Sequence, residues 1–286
     1  MASLTLTPAT CRYVLDVVPD CESVTYVDAD VMMFSDPEPA FAEMGGASVL
    51  LVSHRYPPLW HHWEELGGIY NVQFMVFRND SHGRAALDWW HERCTEWCFD
   101  RYEAGRFGDQ KYLDDWPQRF EGVHVLEHRG GGLGPWNAGQ HDIEQRDGRV
   151  RIGGEPLLFF HFSSFEMLLG SGPMRFLRAL ERTSRRTGRV PPFGWNASPL
   201  PMGWRFWPDY PVTATERALI WARYAHELAI TLAGIRARMP SYSAGSAELS
   251  RDDIVRLTAR TLLSRESVAR LRAARRLLRM RSKATP

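Results

Sequence analysis

Short apolar runs of strand length alternate with helical segments along the first half of the chain. The strand candidates are residues 23–27, 47–52, 70–77, 123–126 and 157–162. Between the third and fourth of these, apolar residues recur at spacings of three and four over 82–103, which predicts an amphipathic helix. This alternation predicts an α/β fold with a sheet that extends to about Phe165.

Local signals indicate where helices and turns begin. Thr7-Pro8 has the composition of an N-cap followed by proline at the first helical position, and predicts a short helix through Val17. Asp147-Gly148 is typical of a tight hairpin turn. Thr213-x-x-Glu216 is a capping box for a long helix that ends at Pro240, and Ser250-x-x-Asp253 opens a basic helical tail.

The character of the chain changes towards its C-terminus. Residues 188–212 are rich in proline and aromatic residues, and we interpret them as an irregular connection over the surface. The sequence therefore predicts an α/β domain over 1–187, followed by the connection and a helical extension over 188–286.

Composition narrows the class of protein. A chain of 286 residues that is 44% hydrophobic can bury a sizeable core, and its net charge of +1 gives no reason to expect nucleic-acid binding. Four scattered cysteines do not make a disulfide framework, and no apolar run approaches the ~18 residues of a membrane span, so we expect a cytoplasmic protein. The basic tail is either a solvated helix face or a peripheral contact with the inner face of the membrane.

Asp28 and Asp30 directly follow the first predicted strand. Because the chain leaves the sheet there, the two carboxylates can converge on one hard cation instead of being buried unpaired. Bound Mg²⁺ or Mn²⁺ would keep open positions for diphosphate oxygens and offset the charge on a leaving phosphate. A solvated Asp pair in a turn is the alternative interpretation.

A histidine and an asparagine support a metal site that includes Asp28 and Asp30. His161 lies in the strongly apolar run 157–162, where a histidine is otherwise a core residue, and a neutral imidazole suits Mn²⁺ better than Mg²⁺. An early Asp-x-Asp, a middle strand with Asn71 and a late strand-end histidine form an ordered series. This series predicts one metal site.

Five segments occur in the order expected of a known enzyme family. They are "VTYVDADVMMF", "YNVQFMVFRN", "GDQKYLDDWP", "GPWNA" and "LLFFHF". Over roughly residues 5–165 the chain resembles glycosyltransferases related to family 8, the group that contains glycogenin and bacterial lipopolysaccharide galactosyltransferases. The resemblance implies a GT-A fold, a nucleotide-diphosphate-sugar donor, a divalent metal that is usually manganese, and a glycan, lipid or protein acceptor.

The resemblance also implies roles for matching residues in metal and donor binding. Asp28 and Asp30 match the motif that binds metal and donor, and His161 matches the third metal ligand. Asn71 matches the strand residue that faces the donor.

Further matching residues would surround the sugars. Asp109 and Gln110 match the catalytic pair at the transferred sugar in retaining members, which implies retention at the anomeric carbon. Trp136 and Asn137 would lie beside the donor or acceptor sugar.

The chain departs from the family pattern at three places. Gln73 stands where the family more often has glycine, and Phe-Ser-Ser-Phe after His161 replaces a phosphate-binding run, leaving an arginine such as Arg55 as the candidate for diphosphate contact. Only 27 residues precede Asp28, where family members carry a strand–helix–strand segment for the base and ribose. We therefore expect a GT-A sheet that lacks its first βαβ segment, truncated at the N-terminus, with weak sugar transfer.

Two other functions fit parts of the sequence. A haloacid-dehalogenase-type phosphatase would use Asp28 and Asp30, then Ser53, and then Asp109 with Asp114. That scheme lacks the lysine needed between Ser53 and Gly108. The other alternative is a catalytically inactive GT-A remnant that acts as a binding module.

Overall fold

The computed structural model describes residues 2–187, 190–191, 193–206, 212–242 and 250–262. The chain divides into two compact units, Met1–Ser163 and Ser164–Pro286. The predicted α/β fold is confirmed at this level: the first unit contains a mixed sheet and several helices. The predicted boundary at 187/188 lies inside the second unit, because the helix that ends at Thr187 packs on the strands that follow it.

The first unit begins with a helix and then alternates strands and helices. Its helices are α1 (Ala2–Val17), α2 (Glu38–Met44), α3 (His62–Gly67), α4 (Ser81–Glu96) and α5 (Trp116–Arg119). Its strands are β1 (Ser23–Val27), β2 (Val31–Met33), β3 (Val49–Ser53), β4 (Tyr70–Arg78), β5 (Val123–Val125), β6 (Ile143–Arg146), β7 (Arg149–Ile152), β8 (Glu155–Pro156) and β9 (Phe159–His161). Single 3-10 turns lie at Pro58–Trp60, Gln110–Leu113 and Ala138–Gln140.

The main sheet has the order β1-β4-β3-β5. β4 is antiparallel to both of its neighbours, whereas β3 and β5 are parallel. All residues of β4 except the last are buried, as expected of a central strand covered on both faces. The pairing of β3 with β4 shifts register between Leu50 and Val52, so β4 bulges between Asn71 and Val76, and the buried polar residues Asn71 and Gln73 lie there.

Helix α1 begins earlier than Thr7-Pro8 predicted, at Ala2, and the prediction of an N-cap there was wrong. Pro8 lies inside the helix and removes one backbone hydrogen bond. Packing offsets that loss, because Cys11 and Leu15 are buried in the core beside α4. Thr7 is therefore a buried residue in mid-helix.

Two smaller sheets complete the first unit. β2 pairs with β9 antiparallel, and Val31 lies opposite His161. β6, β7 and β8 form an antiparallel meander. The hairpin predicted at Asp147-Gly148 is confirmed: both residues have positive φ, which matches a tight turn between β6 and β7.

The second unit is a three-stranded antiparallel sheet with helices. It contains β10 (Phe165–Leu169), α6 (Ser171–Thr187), β11 (Phe193–Asn196), β12 (Met202–Phe206), α7 (Ala214–Glu216), α8 (Ala222–Arg238) and α9 (Arg251–Leu262), with one π turn at Arg217–Trp221 between α7 and α8. The interpretation of 188–212 as irregular was wrong, because β11 and β12 lie there and β12 is buried throughout.

The helix starts predicted at Thr213 and Ser250 are confirmed, but only Ser250 and Asp253 form a complete capping box, because the Glu216 side chain accepts from the Trp221 indole instead. The Thr213 side chain accepts from the Glu216 amide, and the Ser250 hydroxyl accepts from the Asp253 amide. The basic tail beyond residue 262 lies outside the described residues. Within the described parts of the chain, every helix is too short or too polar to cross a membrane.

Candidate metal centre

Asp28, Asp30 and His161 lie together in the first unit. His161 Nε2 is 3.0 Å from Asp30 Oδ1 and 3.8 Å from Asp28 Oδ2. One ligand atom from each residue lies within 4.8 Å of those of the other two. Over the described ranges, no other three acidic, histidine or cysteine side chains are grouped in this way.

Backbone pairing brings these residues together. β1 ends at Val27, and the amide of Asp28 donates to the carbonyl of Gln73 on the neighbouring strand at 3.0 Å. A tight turn then starts β2 at Val31, which lies opposite His161. The amide of Phe162 donates to the Asp30 carbonyl at 2.7 Å. The predicted metal ligands therefore share one turn and the end of one strand.

The two carboxylates have different surroundings. Burial raises the pKa of Asp28, and the negative charge of Asp30 adds to this, although a hydrogen bond from the Tyr26 hydroxyl to Asp28 Oδ1 at 2.8 Å opposes it. Burial also pushes the pKa of Asp30 upward, but the hydrogen bond and charge of His161 outweigh burial, so this pKa lies below its ordinary value. A partly buried pair of like charges is unfavourable unless a cation or donor offsets it.

The ring of His161 is held by packing. It lies edge-on against Trp136, with centroids 5.5 Å apart, and its amide donates to the Leu133 carbonyl. Its Nδ1 is buried and has no hydrogen-bond partner among the residues that the structure describes. Nε2 is therefore the nitrogen that faces the carboxylates.

This donor set fits a divalent cation. Two carboxylates and one imidazole are hard or borderline ligands of the kind that bind Mn²⁺, and three protein ligands leave positions for other oxygens. His161 Nε2 and Asp30 Oδ1, which lie 3.0 Å apart, are two of the atoms that would bind the ion.

Asp109 and Gln110 open a 3-10 turn within the same unit. Burial raises the pKa of Asp109 to about 7, and the charge of Asp28 contributes to the rise, so the two carboxyl groups interact. The indole N–H of Trp90 donates to the Asp109 carbonyl at 2.9 Å. The amide nitrogen of Gln110 donates to the carbonyl of Gly67, which fixes the orientation of its side chain.

The three residues predicted to face the sugars are hydrogen-bonded within the protein. Asn71 Nδ2 contacts His54 Nε2 at 3.0 Å, and its oxygen accepts from the Gln73 amide. Trp136 Nε1 and Asn137 Nδ2 both donate to the His54 carbonyl at 2.8 Å. These side chains form a buried layer beside His161, with Asn137 only 1% exposed.

His54 stabilises this layer as a neutral imidazole. Burial lowers its pKa to about 4, and its Nδ1 lies 3.3 Å from the Ile69 carbonyl. An Nδ1–H donor leaves Nε2 as the acceptor for Asn71, which defines the tautomer. Sequence reasoning did not identify His54, because a single histidine at a strand end carries no periodic signal.

Gln73 is a second residue whose side chain the sequence did not place. It is fully buried at the bulge of β4, and neither atom of its side-chain amide has a hydrogen-bond partner in the described structure. Its carbonyl holds Asp28. A buried amide without partners is a candidate contact for a bound molecule.

Other candidate residues take part in local structure. The Arg55 guanidinium donates to the carbonyls of His128 and Gly131, so it holds the loop before β6. Asp114 accepts from the Ile69 amide at 2.7 Å and pairs with Lys111 at 2.7 Å.

Comparisons with known proteins identify relatives of part of the chain. No family model matches it. It is 36% identical over 166 residues to "Uncharacterized protein YfnD" of Bacillus subtilis (strain 168), covering 57% of this chain and 53% of that protein. It is 36% identical over 171 residues to "Uncharacterized protein YfnF" of the same organism, covering 57% of this chain and 56% of that protein. The chain spans about half the length of the curated relatives it matches.

Proposed function

We propose that this chain is the metal- and donor-binding part of a GT-A-type glycosyltransferase related to family 8. It would transfer a sugar from a nucleotide-diphosphate donor to a glycan, lipid or protein acceptor, with retention at the anomeric carbon. The observation that carries the proposal is the grouping of Asp28, Asp30 and His161 within 4.8 Å of one another.

Each side chain has a role that suits its surroundings. Asp28, Asp30 and His161 would hold Mn²⁺ or Mg²⁺, which when bound offsets the negative charge of the diphosphate leaving group. The charge of Asp28 helps to raise the pKa of the buried Asp109, which supports a role for this carboxyl group at sugar hydroxyls beside the cation. Gln110, fixed by Gly67, would present its amide oxygen to the anomeric carbon.

The site favours this proposal over the phosphatase. The phosphatase scheme gives no role to His161, although its Nε2 is the atom that contacts both aspartates. It needs Asp114 at the cation, whereas Asp114 already binds the Ile69 amide and Lys111.

Calorimetry with Mn²⁺, and then with a panel of nucleotide-diphosphate sugars in the presence and absence of Mn²⁺, tests the proposal. We expect Mn²⁺ to bind the wild-type chain, and sugar nucleotides to bind only when Mn²⁺ is present. Asp30→Asn and His161→Ala should lose both. The matched controls are Asp147→Asn and His82→Ala, whose side chains are 81% and 48% exposed and should leave binding unchanged.

The outcomes separate the alternatives. Mn²⁺-dependent release of nucleotide diphosphate supports the transferase, whereas tight donor binding without any turnover supports the binding module. Release of phosphate from phosphomonoesters, lost in Asp28→Asn, would favour the phosphatase. Sugar-nucleotide binding that is indifferent to Mn²⁺ and to His161→Ala would refute the proposed site.

A further inference from the structure

An exposed aromatic segment follows β3 in the first unit. Residues 56–66 include the 3-10 turn Pro58–Trp60 and most of α3. The rings of Trp60 and His62 have centroids 6.0 Å apart, and those of His62 and Trp63 are 5.3 Å apart. His62 is exposed and Trp63 is 40% exposed. We call Trp60, His62 and Trp63 the aromatic platform; such a group of rings open to solvent is typical of a surface that binds another molecule.

The start of the segment is packed against the candidate site. The ring of Tyr56 stacks on that of His54 with centroids 4.8 Å apart, and it lies 6.5 Å from the ring of Trp136. Trp136 in turn packs edge-on against His161, at 5.5 Å. Four rings in contact therefore connect the candidate metal ligand with the residue that opens the exposed segment.

The end of the segment is held by residues next to the proposed catalytic pair. The side-chain amide of Gln110 donates to the carbonyl of Gly67, the last residue of α3. Lys111 Nζ donates to the carbonyl of Glu64 at 2.8 Å. Because both ends are fixed, the platform loses little conformational freedom when it binds a ligand, which favours affinity.

The charge of the segment indicates which ligand suits it. Residues 56–66 contain Glu64 and Glu65 and no lysine or arginine. Anionic lipid headgroups and nucleic acids attract basic residues, so this surface suits neither. An uncharged sugar fits, because the face of an aromatic ring carries partial negative charge that attracts the C–H groups of a pyranose. The exposed carboxylate of Glu65 can accept hydrogen bonds from sugar hydroxyls.

We propose that the aromatic platform binds a glycan acceptor, with the C–H face of an uncharged pyranose packed on Trp63 and with Trp60 and His62 beside it. This inference rests on the proposed function, because it selects a glycan from the glycan, lipid and protein acceptors of the transferase. The contacts of the segment with His54 and Gln110 place the acceptor-binding residues next to those proposed to bind the donor.

A printed array of neutral oligosaccharides, probed with metal-free full-length protein, tests the inference, and calorimetry with a bound oligosaccharide measures the affinity. We expect the wild type to bind a subset of the array. Trp60→Ala and Trp63→Ala should each weaken binding by about 10-fold or more. Trp63→Phe keeps a ring face and should weaken binding less than Trp63→Ala. Tyr102→Ala is the matched control, since Tyr102 is 51% exposed and lies outside the segment.

Leu59 distinguishes a glycan surface from a lipid surface. It is 77% exposed and has no ring, so Leu59→Ala should leave glycan binding unchanged. Vesicles of phosphatidylcholine and phosphatidylglycerol should not bind the wild type. Vesicle binding that both Leu59→Ala and Trp63→Ala weaken, without binding to the array, would overturn the inference in favour of a lipid surface. Trp63 is exposed, so its variants should melt at the wild-type temperature, which shows that they are folded.

The remaining outcomes separate this inference from the proposed function. Binding of Mn²⁺ and sugar nucleotides without binding to any glycan of the array would overturn the inference alone. Glycan binding that is unchanged in both Trp60→Ala and Trp63→Ala would overturn it too. Glycan binding that Trp63→Ala weakens, in a protein that binds neither Mn²⁺ nor sugar nucleotides, would refute the proposed function. The platform would then be a glycan-binding surface, and its role as an acceptor site would be refuted.

Discussion

Asp109→Asn should gain stability relative to the wild type as pH rises from 5 to 8, and at the same time abolish the proposed sugar transfer. The buried carboxyl group of Asp109 has its pKa raised from 3.8 to about 7, chiefly by loss of hydration and further by the charge of Asp28. An amide cannot ionise, so the variant avoids the cost of a buried charge. A purely structural residue would lose stability and activity together, whereas here the two should move in opposite directions.

The sign of the pH effect on the free energy of unfolding follows from proton binding. Between the unfolded and the folded pKa, the native state holds a proton that the unfolded chain has released, so the free energy of unfolding falls as pH rises through that window. Each tenfold change in protonation equilibrium is about 1.4 kcal/mol, which gives a total of about 4 kcal/mol for Asp109. Of this total, about 2.5 kcal/mol develops between pH 5 and pH 8.

The assay is urea denaturation of the wild type and Asp109→Asn at a series of pH values from 5 to 8. Hydrogen-exchange mass spectrometry of peptides from β3 and β4 reports on the first unit alone. The difference in free energy of unfolding, variant minus wild type, should increase by about 2.5 kcal/mol over this range. Asp20→Asn is the control, because its side chain is exposed and its positive φ is one that asparagine tolerates.

A difference between variant and wild type that stays constant from pH 5 to pH 8 would refute the reasoning. It would mean that Asp109 titrates at the same pH in both states, and therefore that its carboxyl group is hydrated or paired with a cation in the native protein. Full transfer activity in Asp109→Asn would separately refute the proposed role of Asp109 at the sugar.

Three further substitutions test the remaining architecture by urea denaturation. Asn137→Ala should lower the free energy of unfolding by about 3 kcal/mol, because the amide makes three buried hydrogen bonds with the loop and the His54 carbonyl. A decrease of less than about 1 kcal/mol would contradict this. Gln73→Met should raise the free energy of unfolding by about 1 kcal/mol or more, because it removes a buried amide without partners, and it should weaken donor binding. A lower free energy of unfolding would show that the amide has hydrogen-bond partners. Glu216→Gln should gain stability relative to the wild type as pH rises from 5 to 8, since burial raises the pKa of Glu216 to about 7; a pH-independent difference would contradict that pKa.

The grouping of Asp28, Asp30 and His161 could be predicted because each residue follows from a local pattern. An apolar strand that ends in Asp28-Ala29-Asp30 exposes carboxylates where the chain leaves the sheet, and His161 ends another such strand. The pairing of β2 with β9 that joins them is a long-range contact, and only the order of the motifs indicated it. The contact of Tyr26 with Asp28 could have been predicted, because Tyr26 stands two residues before Asp28 at the end of the same strand.

The errors came from residues whose tertiary contacts outweigh local preference. Proline after Thr7 normally marks a helix start, but burial of α1 against the core carries the helix past it. Prolines and glycines around β11 and β12 concealed two strands whose aromatic residues, such as Trp204 and Phe206, fill the core of the second unit. The engagement of Asn71 and Asn137 with His54 depends on a bulge and a loop that no periodic pattern encodes.

The antiparallel pairing of Val31 with His161 makes the candidate metal centre depend on strand register. A shift of β9 by one residue would place Phe160 or Phe162 opposite Val31 and carry the imidazole to the other face. Neither phenylalanine can bind a cation, so only the native alignment has three ligands. A bound ion would therefore stabilise the native register of the small β2–β9 sheet relative to misaligned forms. With the ion bound, correct pairing of these two short strands would depend less on their own pairing energy.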